Sequence, residues 1–203
     1  MAFQFPAVIH ASRITFPKAE LWVPVISGLH NAAARNAMNE TIRRTVRELV
    51  TEQGSLDDPR AEMQGYFEIK TNEKNVLSLS LFNYAYTGGA HGLTLQRSLT
   101  FDTGTGKAYS LSEMFKPGSP YVSRLSDIIK KQIEEREIAT LDPFNAISPD
   151  QSFYIADRAL VIYFALYELT PYAFGFPYFP ISVYDLTDII NPNGPLAPMT
   201  VNY

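Results

Sequence analysis

Two stretches carry the side chains best suited to chemistry. The first is Tyr-Thr-Gly-Gly-Ala-His-Gly, residues 86–92. Gly88, Gly89 and Gly92 permit positive φ and close backbone approach. Successive amides in such a turn can form an anion-binding nest, with the His91 imidazole as donor or base. The same residues equally describe a hairpin whose histidine tip locks the turn by hydrogen bonds. The second stretch, Tyr-Glu-Leu-Thr-Pro-Tyr-Ala-Phe-Gly-Phe, spans residues 167–176. Glu168 has apolar sequence neighbours, and burial among them would raise its pKa toward a general-acid role. The alternative is a structural carboxylate that satisfies backbone amides or a nearby His or Arg.

Other chemistries find no foothold. The 203-residue chain has no cysteine, which removes thiol catalysis, disulfides and Cys-ligated zinc together. No G-x-S-x-G elbow or dinucleotide fingerprint occurs. Gly-Thr-Gly-Lys at 104–107 lacks the spacing and the Ser/Thr of a phosphate loop. His10, His30 and His91 fall in different elements, so neither a metal site nor a cofactor is expected. A net charge of −4 disfavours nucleic acid and anionic membrane surfaces. Arg43, Arg44 and Arg47 read as a solvated helix face. No segment has a signal-peptide pattern or transmembrane length, so a soluble chain without membrane insertion is expected.

These groups need elements to hold them. At 46% hydrophobic and 19% charged residues, the chain is globular. Alternation predicts strands over 7–16 and 19–27, with Pro24 marking an edge or bulge. A helix follows over about 31–53, with Asn31 as N-cap and Gly54 as terminator; Met38, Ile42, Thr45, Val46 and Leu49 form its apolar face. Period-two segments over 61–71, 75–87 and 93–102 are joined by turns too short for parallel crossovers, so they form an antiparallel meander. In the second of these, Leu77, Leu79 and Leu81 share one face. A second amphipathic helix is expected over about 119–138, then strands over 152–155 and 160–167. The fold class is α+β: antiparallel sheets with two main amphipathic helices packed on them. A seam near 55–62 suggests subdomains over 1–58 and 59–192. The proline-rich tail over 193–203 should be poorly ordered unless docked.

The turn at 86–92, the following Ser-Leu-Thr-Phe-Asp-Thr-Gly-Thr-Gly-Lys, and the run from Phe153 through Tyr-Glu-Leu-Thr-Pro-Tyr-Ala-Phe-Gly-Phe-Pro-Tyr-Phe resemble the extracytoplasmic domain of RsiV-type anti-sigma factors. A similar domain precedes the catalytic module of PdaC-type peptidoglycan deacetylases. Val-Pro-Val-Ile-Ser-Gly-Leu-His and the residues after it, from Val23, resemble the smaller subdomain found with it. The resemblance implies an α+β fold and a location outside the cell or in its envelope. In the anti-sigma relatives this domain binds lysozyme; in the deacetylases catalysis resides elsewhere. A non-catalytic binding domain is therefore expected, with lysozyme, another protein or peptidoglycan fragments as partner. Its candidate contact residues are Tyr86, Gly88, Gly89, His91, Glu168, Pro171, Tyr172, Phe174 and Phe176. A cell-wall glycan hydrolase using Glu168 with His91, or a cytosolic protein of unrelated role, remain the alternatives.

Overall fold

The computed structural model describes residues 6–56, 58 and 60–201. The chain folds as two compact units, Met1–Ala108 and Tyr109–Tyr203. Its two sheets are almost entirely antiparallel and its two main helices are amphipathic, an α+β architecture.

The first unit is a five-stranded sheet in sequential order: β1 (Val8–Phe16), β2 (Ala19–Ser27), β3 (Glu62–Glu73), β4 (Val76–Tyr86) and β5 (Leu93–Asp102). Helix α1 (Ala32–Gln53) connects β2 to β3, and these two strands pair in parallel over Ala19–Leu21 and Met63–Gly65. A parallel pair cannot be closed by a hairpin and needs a crossover of this kind. Position 58/59, where a seam was expected, falls inside the first unit. It lies within one sheet, because the strands on either side of it pair. Pro24 marks no bulge, since its register with Ala11 is unbroken, but it does lie where β2 is locally an edge. The β3 ladder ends at Leu21, so Pro24 has no ladder on that side to interrupt.

Local rules account for the ends of these elements. The Asn31 side chain accepts hydrogen bonds from the Ala33 and Ala34 amides, both at 3.1 Å. Lys74 and Asn75 both take positive φ, 50° and 62°, the backbone of a type I′ hairpin turn between β3 and β4. Gly106 cannot be replaced at its position, since a Cβ there would lie 2.5 Å from the Ala34 carbonyl oxygen. The Gly-Thr-Gly-Lys segment is thus a turn laid against the start of α1. The Asp102 carboxylate accepts from the Gly104 and Thr105 amides, and Asn31 Nδ2 donates to the Gly104 carbonyl.

The core follows from two faces read by their periods. Met38, Ile42 and Leu49 on α1 pack with Leu77, Leu79 and Leu81 on β4, while Val46 packs at the margin. Asn39 is buried among them and acts as a strand substitute. Its Oδ1 accepts from the Ile26 amide at 2.8 Å, and its Nδ2 donates to the Ile26 carbonyl at 2.9 Å. Asn72 holds Ala7 by the same reciprocal pair. On the sheet face opposite α1, buried hydroxyls pair across strands: Ser78 with Thr100 at 2.9 Å and Ser80 with Ser98 at 2.8 Å.

The second unit contains α2 (Tyr121–Glu135) and an antiparallel sheet of β6 (Phe153–Ala156), β7 (Ala159–Tyr163) and β8 (Tyr178–Ser182). Helix α2 is shorter than expected at both ends and buries Leu125, Ser126 and Ile129. Strand β7 stops at Tyr163, short of the expected Tyr167. Ile155, Leu160, Ile162, Phe179 and Ile181 are buried on one sheet face. The tail is docked: Leu196 and Met199 are fully buried, and a short 3-10 turn spans Ala197–Thr200. Its last two residues lie outside the described residues.

Replacing Asn39 with Ala strands both the amide and the carbonyl of Ile26 in the core. Chemical denaturation is expected to show a loss of about 2 kcal/mol, since a buried unpaired polar group costs roughly 1–3 kcal/mol. A second prediction uses the single tryptophan. Trp22 Nε1 donates to Glu20 Oε1 at 2.8 Å, and Arg13 Nη2 donates to Glu20 Oε2 at 2.7 Å. The Arg13 hydrogen bond, then that of Trp22, holds the Glu20 carboxyl below the usual carboxylate value. A lowered pKa means that the clamp persists as pH falls through the ordinary range and is lost only as Glu20 itself protonates. Trp22 fluorescence on acid titration should therefore change with a midpoint below 4.5, the value of a free glutamate. Glu20→Gln should abolish that transition.

Candidate functional site

The glycine turn closes the β4–β5 hairpin in the first unit. Gly88 and Gly89 take φ of 97° and 124°, conformations that L side chains rarely adopt, and a Cβ on either would meet open space. They are there to bend the chain. Gly92 serves packing instead: a Cβ there would stand 2.3–2.4 Å from the phenol end of Tyr84. The Tyr86 hydroxyl donates to the Gly89 carbonyl at 3.0 Å, tying the first half of the turn to its own base. His91 is exposed, with Nδ1 2.9 Å from the Gly92 carbonyl.

Beside the turn lies a depression of about 290 Å³, lined by Glu52, Gln53, Ala85, Thr87, His91 and Leu95 among others. Gln53, at the C-terminal end of α1, braces it from below. Its Nε2 donates to the Leu93 carbonyl at 2.7 Å, and its Oε1 accepts from Asn83 Nδ2 at 2.8 Å. Glu52 is paired with Arg97 at 2.7 Å. Sequence reasoning did not single out Gln53, Glu52 or Arg97. The signal for them would have been the helix terminus, which had to fall near the hairpin it supports. Among the described residues no group of three or more His, Asp or Glu side chains is arranged to hold a metal ion.

Glu168 belongs to the second unit, and its surroundings differ from expectation. It is exposed, not buried among its apolar neighbours. Leu169 and Phe164 turn inward, while the carboxylate turns out and caps a loop. Glu168 Oε2 accepts from the Ala165 amide at 2.6 Å, and Oε1 accepts from Gln151 Nε2 at 3.0 Å. Gln151 in turn donates to the Tyr163 carbonyl at 3.0 Å, so the carboxylate fixes the exit of β7. Tyr167 just before it takes φ 67°, a position open to a non-glycine only where the surrounding bonds hold it.

The aromatic loop that follows is ordered by short turns. Pro171 precedes a single 3-10 turn over Tyr172–Phe174, closed by bonds from the Phe174 and Gly175 amides to the Pro171 and Tyr172 carbonyls. The Tyr167 and Tyr172 rings stack with centroids 5.4 Å apart. Phe176 leans on Tyr178 at 6.3 Å, and Tyr178 joins a cluster with Tyr154 and Tyr163. Tyr167 is 51% exposed and Phe174 46%. Of the candidate contact residues, Tyr86, Gly88, Gly89 and His91 lie together in the turn of the first unit. Glu168, Pro171, Tyr172, Phe174 and Phe176 lie together in the loop of the second.

The packing of Gly92 under Tyr84 yields a test. Gly92→Ala should lower the unfolding free energy by about 1–3 kcal/mol, the usual range for overpacking. Removing the ring in a Gly92→Ala, Tyr84→Ala double variant should abolish most of the further loss caused by the alanine. Additive losses in the double-mutant cycle would count against the contact.

Comparison with known proteins follows the same division. Residues 16–94 match the family model described as Deacetylase PdaC, and residues 112–184 match Protein of unknown function DUF3298. The anti-sigma-V factor RsiV of Bacillus subtilis (strain 168) is 30% identical over 172 residues, which cover 78% of this chain and 60% of that protein. The peptidoglycan-N-acetylmuramic acid deacetylase PdaC of the same organism is 23% identical over 150 residues, 68% of this chain and 32% of that protein. The chain thus spans less than two thirds of either relative. Two crystal structures of DUF3298 family proteins share the fold. One, from Pseudomonas aeruginosa PAO1, gives a TM-score of 0.69 at 18% identity and covers 94% of this chain and 96% of that one. The other, from Bacteroides fragilis NCTC 9343, gives 0.67 at 15% identity, with 98% and 97% covered. The chain thus carries a DUF3298 segment over 112–184, preceded over 16–94 by a PdaC-type segment, and is similar to RsiV across both.

Proposed function

We propose that this chain is a non-catalytic binding module of a bacterial cell-envelope protein, and that the loop over 167–178 is its recognition surface for a protein partner, lysozyme first among them. The observation that carries the reading is the exposure of Tyr167 and Phe174 on a loop whose backbone is already fixed. Aromatic side chains on a rigid loop bury large area at little entropic cost, which is how binding hot spots are made. Similarity to an anti-sigma factor and to a peptidoglycan deacetylase supports the envelope setting.

The hydrolase alternative has less support. Both oxygens of Glu168 are engaged in holding the loop, and the residue is exposed. The 3-10 turn itself is closed by backbone bonds, which the Tyr172 and Phe174 side chains do not supply. Calorimetric titration of the chain with lysozyme should show saturable binding. Phe174→Ala and Tyr172→Ala should each weaken it on the order of tenfold or more, as hot-spot truncations do. Absence of lysozyme binding by the intact chain would overturn the partner, and binding unaffected by both variants would overturn the surface.

A further inference from the structure

A different surface, in the first unit, has the makings of a small-molecule site. Pairing across all five strands brings Thr15, Glu20, Gln64, Tyr84 and Thr94 into one continuous row. The residues of this row lie on the sheet face opposite α1. Along it runs a depression of about 470 Å³, whose lining includes Arg13, Glu20, Gln64 and Tyr84. That volume falls within the range of about 300–1,000 Å³ typical of ligand clefts. On the same face, one register step away, stand Trp22 and Tyr66, 41% and 45% exposed.

The aromatic rings are held in place before any ligand arrives. Trp22 is fixed through its indole nitrogen by Glu20, and the Arg13 guanidinium sits 5.8 Å from its ring centroid. Tyr66 stacks flat on Phe82, centroids 4.7 Å apart and planes 8° from parallel. The third ring, Tyr84, occupies the space left by Gly92. Charge around the depression is balanced. Arg13 faces Glu20 at 2.7 Å and Lys18 faces Glu62 at 3.9 Å, two cations against two anions.

These features select one class of ligand. Balanced charge favours neither an anion nor a cation. A row of Thr, Glu, Gln, Tyr and Thr is too polar for a lipid-like molecule. A pyranose combines an apolar C–H face, which packs on an aromatic ring, with equatorial hydroxyls that both donate and accept. Rings flanked by planar amide and carboxylate groups meet both needs. We infer that this depression binds an uncharged pyranose oligosaccharide lying along the row from Glu20 to Tyr84, with Trp22 and Tyr66 as its stacking platform. The site is independent of the loop proposed above for protein recognition.

The protein carries its own probe, since Trp22 is the only tryptophan. The whole chain is titrated with N-acetylglucosamine hexamer and, in parallel, with glucose hexamer of the same linkage, following Trp22 fluorescence. A saturable change with either confirms the site, and the stronger of the two identifies the sugar. Gln64→Ala is exposed and should keep the wild-type thermal midpoint; it and Tyr66→Ala should each weaken binding on the order of tenfold. No saturable response up to about 10 mM sugar overturns the inference. So does affinity unchanged in both variants, or self-association through this face that sugar does not reverse. Phe174→Ala should leave sugar binding intact, so failure here and failure of lysozyme recognition are read separately.

Discussion

The parallel pairing of β2 with β3 is the constraint on which the first unit depends. Because no hairpin can make that step, the chain must leave the sheet, cross it as a 22-residue helix and return. The crossover lays Met38, Ile42 and Leu49 over the leucines of β4 and so decides which sheet face becomes core. It also delivers Gln53 to the base of the β4–β5 hairpin. The opposite face is left to the polar and aromatic row. The placement of every candidate residue in this unit follows from that one step.

Side-chain amides do much of the work that sheet ladders leave undone. Asn39 and Asn72 each offer a backbone segment both halves of a peptide-like pairing, and Gln53 bridges a strand carbonyl to another amide. Such groups suit ends and corners where no further strand can be added. Left unpaired in the core, the same backbone groups would cost more than the bonds themselves contribute. In the second unit a carboxylate has the equivalent duty, with Glu168 closing the exit of β7.

Much of this was legible in the sequence. The limits of β1, β2 and α1, the leucine face of β4 and the Asn31 cap all follow from period and capping chemistry that act within a few residues. The parallel step was not legible, because a helix between two strands does not say that they end up adjacent. Glu168 shows a related limit. Its neighbours in sequence are apolar, yet alternate residues of a loop point opposite ways, so Leu169 is buried and the carboxylate is not. Gly92 could be read as a glycine with a purpose, but the purpose lies in Tyr84, eight positions earlier. Trp22 and Tyr66 are 44 residues apart in sequence, and only the register of Glu20 on Gln64 puts them on the same sheet face.

The docked tail bears on how the chain comes to fold. All strands of the first sheet are complete by Asp102, so that unit can close while later residues are still being synthesised. The second unit has no such freedom, because Leu196 and Met199 fill its core. Its three strands and α2 must wait, partly uncovered, until residue 199 has cleared the ribosome. The two units therefore mature in a fixed temporal order, and the later one is the more exposed to proteases and chaperones on the way.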